Sequence, residues 1–187
     1  VSLNAGFTCP NIDGKVGYGG CIYCSKSGSG HFGGDISKSL SEQFDEIKEK
    51  LSKKWPRGKY IAYFQAHTNT YAPLSVLKEK YESVLKKDNV IGIAIATRPD
   101  AIEDEVLDYL EELNKNTDVT VELGLQTIHE DTAKLINRCH SLNQFEEMVK
   151  KLRKRNIEVV VHIINGLPYE TKEMMIEESK EMFKDKT

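Results

Sequence analysis

The sequence predicts an α/β fold of parallel strands joined by crossover helices. Two features lead there. Apolar, strand-like runs alternate with amphipathic stretches along the chain, and three cysteines fall where the first strand gives way to the first helix. The strand runs are 1–8, 60–66, 90–97, 119–126 and 158–165, each rich in Val, Ile, Leu or aromatic residues. Between them, 37–54, 74–87, 102–116, 130–155 and 171–184 place apolar residues at three- and four-residue spacing with charges opposite, the mark of amphipathic helices.

The helix starts carry their own signals. Ser41 stands three residues before the apolar Phe44, Pro73 suits a first turn, and Thr171 follows Pro168, which a helix does not tolerate in its interior. The stretch 130–155 is expected to divide near 139–143, with Ser141 or Asn143 capping a second helix from Gln144. Five β/α units leave a parallel edge exposed unless more chain covers it, so residues 1–187 read as one domain of a longer protein.

Composition narrows the function. With 26 basic and 29 acidic residues the formal charge is −3, so nothing draws the whole molecule to nucleic acid. There is no run of about 18 apolar residues to span a membrane, and the first residues lack the basic start of a signal peptide. A cytoplasmic protein is expected. Four cysteines are too few for a disulfide scaffold in a chain this long, so a tight cysteine group points to a metal or to catalysis.

Cys9, Cys21 and Cys24 form C-x11-C-x2-C in the first strand-to-helix connection, on the side where parallel α/β folds bind ligands. Gly14, Gly17, Gly19 and Gly20 allow the intervening chain to wrap tightly and present N–H groups to sulfur. Three thiolates leave a metal position open for substrate or cofactor. Spacing alone leaves alternatives standing: a zinc site completed by His31 or His67, a redox pair of Cys21 and Cys24, or unrelated free thiols.

The full string GFTCPNIDGKVGYGGCIYC, followed in order by YFQAHTNTYAP, ATRPD, VELGLQTIHEDT, INRCH and INGLPYET, resembles the radical S-adenosylmethionine (SAM) superfamily. It is most similar to the branch near the Elongator catalytic subunit and the coproporphyrinogen dehydrogenase type. The resemblance implies an open, partial (β/α) barrel, six strands being usual, and an enzyme with its site at the C-terminal strand ends. It implies a [4Fe-4S] cluster on Cys9, Cys21 and Cys24, whose remaining iron binds the amino and carboxylate groups of SAM. Reductive cleavage of SAM then gives a 5′-deoxyadenosyl radical that abstracts hydrogen from substrate. An external electron donor such as flavodoxin or ferredoxin is implied as partner.

The same resemblance implies further contacts. Tyr23 would lie against the adenine, and Gln65 or Thr68, with Asn69 as an alternative, would replace the Gly-Gly-Glu motif that relatives use for the SAM amino group and that is absent here. Thr97 and Arg98 would bind the ribose and carboxylate, a hydroxyl and a guanidinium being suited to those groups. On 119–126, Glu122, Gly124 and Gln126 share one face by the period of a strand, and Glu122 needs a partner such as Arg98 or a ligand. The resemblance assigns Glu122 and Gln126 to SAM, and Asn165 and Gly166 to the backbone beside its adenine. His67 reads as a substrate contact or a structural histidine, and His162 as core or barrel lining.

Cys139 is not part of the cluster motif and reads as structural, and Arg138 and His140 beside it read as solvent-facing charge, with reach to a ligand as the alternative. Likeness to the Elongator branch makes a tRNA nucleoside the expected substrate, with the basic run 150–155 as an RNA contact or simply a helix-terminal dipole complement. A small molecule such as a porphyrinogen is the rival substrate, and a zinc-stabilised binding module the rival from another class.

Overall fold

In the computed structural model, which describes residues 1–28 and 30–183, five strands form one sheet in the order β1-β2-β3-β4-β5, every neighbouring pair parallel. They are β1 (Ser2–Leu3), β2 (Tyr60–Phe64), β3 (Val90–Thr97), β4 (Asp118–Gln126) and β5 (Glu158–Ile163). Six helices connect them: α1 (Leu40–Lys54), α2 (Leu74–Leu85), α3 (Asp104–Asn114), α4 (Glu130–Leu135), α5 (Leu142–Lys154) and α6 (Lys172–Phe183). Sequential strand order with a helix after each strand is the wall of a (β/α) barrel, and among the described residues β1 and β5 do not pair, so the wall stays open.

The core lies between the sheet and its helices. Phe64, Ile93, Ile95, Val121, Leu123 and Leu125 face outward against Phe44, Leu77, Leu107, Leu110, Phe145 and Leu152, all buried. Each such side chain contributes about 1.5–3 kcal/mol on burial, which is what holds the helices down. The other face of the sheet is small or polar: Ala94, Ala96, Glu122, Gly124 and His162.

Several ends differ from the sequence reading for local reasons. β1 stops at Leu3 and not near residue 8, because the Asn4 N–H donates to the Gln43 side chain at 2.9 Å and Gly6 turns with φ +71°. Ser39, not Ser41, caps α1, through a reciprocal capping box with Glu42. Pro73 sits at the N-cap of α2. Ser141 caps α5 with Gln144 as its box partner, so the expected division of 130–155 is found. Lys184, the last residue of the expected final helix, lies outside the described residues. No helix among the described residues is long and apolar enough to cross a membrane.

Candidate functional site

The cysteine segment folds back on itself after β1. The Cys9 carbonyl accepts from the N–H groups of Ile12 (2.8 Å) and Asp13 (3.2 Å), and Gly20 N–H donates to the Asn11 carbonyl (2.8 Å), while Asp13 and Tyr18 form an antiparallel bridge. The loop is then fastened to the turn after α4, more than a hundred residues away. Asn137, left-handed at φ 54°, donates to the carbonyls of Gly20 (2.8 Å) and Tyr18 (3.2 Å), and Ile22 N–H donates to the Ile136 carbonyl (3.1 Å). Gly17 is required by space: a Cβ there would stand 2.2 Å from Asn11 Oδ1 and 2.9 Å from Cys139 Sγ.

This fastening brings the loop over the C-terminal ends of β2, β3 and β4, where a cavity of about 220 Å³ opens. Cys9, Cys21 and Cys24 all line it, with Tyr23, Gln65, Thr68, Thr97, Arg98, Glu122 and Gln126. The residues singled out from sequence thus converge from the loop and three strands. Asn165 and Gly166 do not join them: they are exposed on the turn after β5, where Gly166 has φ +82°. Tyr63, His67, His140 and His162 also line it, with Gly28, Ala96 and Gly124.

Cys21 and Cys9 act electrically on Cys24. Burial pushes the Cys24 thiol up, the charges of Cys21 and Cys9 push it further, and Arg98 pulls it back. Burial also raises the Tyr23 hydroxyl, followed by the charge of Cys21. Thiolate is the ligand of iron-sulfur clusters and zinc, so three thiols at one cavity are a donor set for either. Among the described residues no three His, Cys, Asp or Glu side chains are arranged around a single ion. By their chemistry, three thiols at one cavity are the donor set of a cluster held by three protein ligands.

Each polar residue around the thiols has definite commitments. Arg98 directs Nε and Nη2 to the two carboxylate oxygens of Asp100 (2.9 and 2.8 Å), so its bidentate edge already has a protein partner and Nη1 is its spare donor. Thr70 donates to the Ala101 carbonyl, so the bond between the Thr70 and Thr97 hydroxyls uses the Thr97 proton. Thr97 is left as an acceptor, able to receive a ligand hydroxyl. Asn69 is taken up between strands, its Nδ2 donating to the carbonyls of Phe64 (3.0 Å) and Ala96 (2.9 Å); Gln65 and Thr68 remain at the cavity. His67, at φ 60° with Nδ1 buried and unpartnered, also faces it, and burial lowers its pKa.

Glu122 is paired, but not with Arg98. Its Oε2 accepts from Tyr63 Oη and His162 Nε2, both at 2.8 Å. Tyr63 reaches across β3 because the intervening residues there are Ala94 and Ala96. The His162 bond holds the Glu122 carboxyl below its ordinary range despite burial, and the same bond raises the His162 imidazole. His162 is therefore a half-exposed partner of a carboxylate, not core. Gln126, at φ 65° where the β4–β5 register shifts, turns its amide nitrogen to the Leu125 carbonyl and the Tyr23 hydroxyl, each at 3.2 Å.

Arg138 and His140 overturn the solvent-facing reading. Arg138 is 0% exposed and donates to the carbonyls of His140 (2.9 Å), Leu125 (2.8 Å) and Thr127, locking the end of β4 to the turn that carries the cysteine loop. His140 is buried at the cavity wall, and burial followed by Arg138 pushes its pKa down to about 4. Cys139 is exposed at φ 62°, a left-handed position that favours glycine, with Sγ donating to Asn137 Oδ1 at 3.2 Å. Nothing in the linear pattern marks Arg138 as buried; beside the Glu130 carboxylate at 3.4 Å its partners are carbonyls, which carry no sequence signal.

The radical SAM superfamily model matches residues 16–181, a span that includes Cys21 and Cys24. The chain belongs to the radical SAM superfamily. It is similar to the Bacillus subtilis protein YtqA, 58% identical over 96% of this chain and 56% of YtqA. It is also similar to tRNA uridine(34) acetyltransferase of Methanocaldococcus infernus, 29% identical over 53% of this chain and 17% of that protein. The structure of M. infernus Elp3 with an N-terminal deletion shares the fold, with TM-score 0.62 and 20% identity over 79% of this chain and 41% of that one. The Elongator-like branch resemblance and the partial barrel thus stand. This radical SAM chain spans about half the length of the curated relatives it matches over nine tenths of its own length, and membership implies an enzyme.

Proposed function

We propose that residues 1–187 are the core domain of a radical SAM enzyme in which Cys9, Cys21 and Cys24 hold a [4Fe-4S] cluster and the adjoining cavity binds SAM. The observation that carries this is the convergence of three thiols, and not four, on one cavity with a guanidinium and a carboxylate. Bound together, the cluster and SAM supply a 5′-deoxyadenosyl radical for hydrogen abstraction.

The chain's own groups then divide the work of binding. Glu122 Oε2 is fixed by Tyr63 and His162, which leaves Oε1 to accept protons from a ribose or an ammonium. Thr97 accepts a hydroxyl proton, Arg98 Nη1 donates to a carboxylate, and Gln65 and Thr68 offer neutral oxygens to the amino group. Tyr23, held by Gln126, presents its ring to the adenine, while Asn165 and Gly166, exposed on the turn after β5, stay outside the cavity lining. An electron donor such as flavodoxin or ferredoxin supplies the reducing electron.

The substrate class we assign is a tRNA nucleoside, supported by the similarity of half of this chain to a tRNA uridine(34) acetyltransferase. One observation favours a small molecule instead. Lys151 pairs with Asp104 (2.9 Å), and Arg155 with Asp108 (2.9 Å) and Glu111 (3.2 Å), so the basic run 150–155 is partly neutralised by α3. Salt-dependent binding of tRNA separates the two: a log–log slope of affinity against salt near zero removes RNA as the substrate.

Metal analysis after anaerobic loading with iron and sulfide tests the cofactor assignment. Iron and sulfide together, lost in Cys24→Ala, support it. Stoichiometric zinc with neither iron nor sulfide would replace it with a zinc-stabilised module.

A further inference from the structure

Asn11 lies inside the cysteine loop and is 0% exposed. Its amide nitrogen makes two contacts: it donates to the Asn137 carbonyl at 2.6 Å and to Cys21 Sγ at 3.5 Å. Its amide oxygen is buried with no partner. That combination is informative, because an unpartnered buried oxygen costs stability, and an apolar side chain of similar volume would fill the space without that cost. The donor end is what the position supplies.

The surroundings fix the amide where it is. Gly17 leaves room for no side chain against Asn11 Oδ1, the Asn11 carbonyl is held by Gly20 N–H at 2.8 Å, and the Asn137 carbonyl that anchors Nδ2 belongs to a turn locked by Arg138. The N–H is thus aimed at a sulfur by a rigid frame. Tyr23 is the other side-chain donor near that sulfur, from the cavity side.

We infer that Asn11 is a positioning residue whose side-chain N–H donates to the Cys21 thiolate and raises the reduction potential of the cluster. The inference rests on the cofactor assignment above. Adding one electron to the cluster increases negative charge on its sulfurs, and a hydrogen bond to a ligating sulfur stabilises the reduced form more than the oxidised form. Cys9 and Cys24 receive no side-chain N–H donor among the described residues, so the three ligands are not equivalent.

The test is a dithionite titration of the reconstituted, full-length protein under anaerobic conditions, following the reduced cluster by electron paramagnetic resonance. It compares the wild type with Asn11→Ala, Asn11→Ser and Asn137→Ala. Both Asn11 variants are expected to show a more negative potential at unchanged iron per cluster. Asn137→Ala loosens the loop by removing the bonds to Tyr18 and Gly20 but keeps the donor to Cys21, so its potential stays at the wild-type value even where its iron occupancy falls. A wild-type potential in both Asn11 variants overturns the inference while leaving the cofactor assignment intact. An equal shift in Asn137→Ala overturns it too, and so does loss of the cluster from both folded Asn11 variants, since each shows that the side chain holds the loop and not the sulfur. A wild type that takes up no iron fails earlier, at the cofactor assignment itself.

Discussion

His162 Nε2 and Glu122 Oε2 lie 2.8 Å apart on neighbouring strands, at the wall of the cysteine-lined cavity. The bond favours the charged form of each partner, raising His162 and lowering Glu122. Its contribution is present while both are charged. It is lost as pH rises through the raised His162 pKa, and again as pH falls through the depressed Glu122 pKa. Following the His162 ring protons by nuclear magnetic resonance, we expect Glu122→Gln to lower the imidazole pKa toward the ordinary histidine value, about 6.5. An unchanged titration would show that the bond does not form in solution.

Arg138 donates to three backbone carbonyls with no exposure to water. Replacing it with Met fills the volume and strands those acceptors, so denaturant unfolding should show a loss of roughly 3–5 kcal/mol. Arg138→Lys is expected to recover only part of this, since one ammonium lacks the planar fork that spans all three oxygens.

His140 supplies an acid-sensitive element. Its folded-state pKa of about 4 is below the ordinary histidine value, so between those limits the unfolded chain binds a proton that the folded chain refuses. Stability is complete above about pH 6.5 and falls as pH drops toward the folded value. Thermal melting between pH 6.5 and 5 should therefore decline less steeply in His140→Asn than in the wild type.

Gly17 is a steric requirement of the loop. Gly17→Ala places a Cβ against Asn11 Oδ1 and Cys139 Sγ, an overpacking expected to cost about 1–3 kcal/mol. Because Asn11 must move, iron uptake should slow by more than the melting temperature alone accounts for. Equal uptake rates in the two proteins would contradict the packing.

Much of this was legible in the chain because strands, helices and the cysteine spacing are local patterns. β3 runs over the expected 90–97, and the polar face of β4 carries Glu122, Gly124 and Gln126 toward the cavity as strand periodicity requires. What escaped the sequence were relationships between distant segments. Arg138 looks like any helix-end arginine until the carbonyls of Leu125 and Thr127 surround it, and the partner of Glu122 proved to be His162 and Tyr63 because Arg98 is held by Asp100 two residues away. β1 ends early for a similar reason: Gln43, 39 residues on, competes for the backbone of Asn4.

The most direct test of the central claim is chemical. The reconstituted protein is reduced with dithionite in the presence of SAM, and the mixture is chromatographed for 5′-deoxyadenosine beside a Cys24→Ala control. Formation of 5′-deoxyadenosine by the wild type, and its loss in the control, is the result this account predicts; an intact cluster that yields none would contradict the assignment of the cavity to SAM.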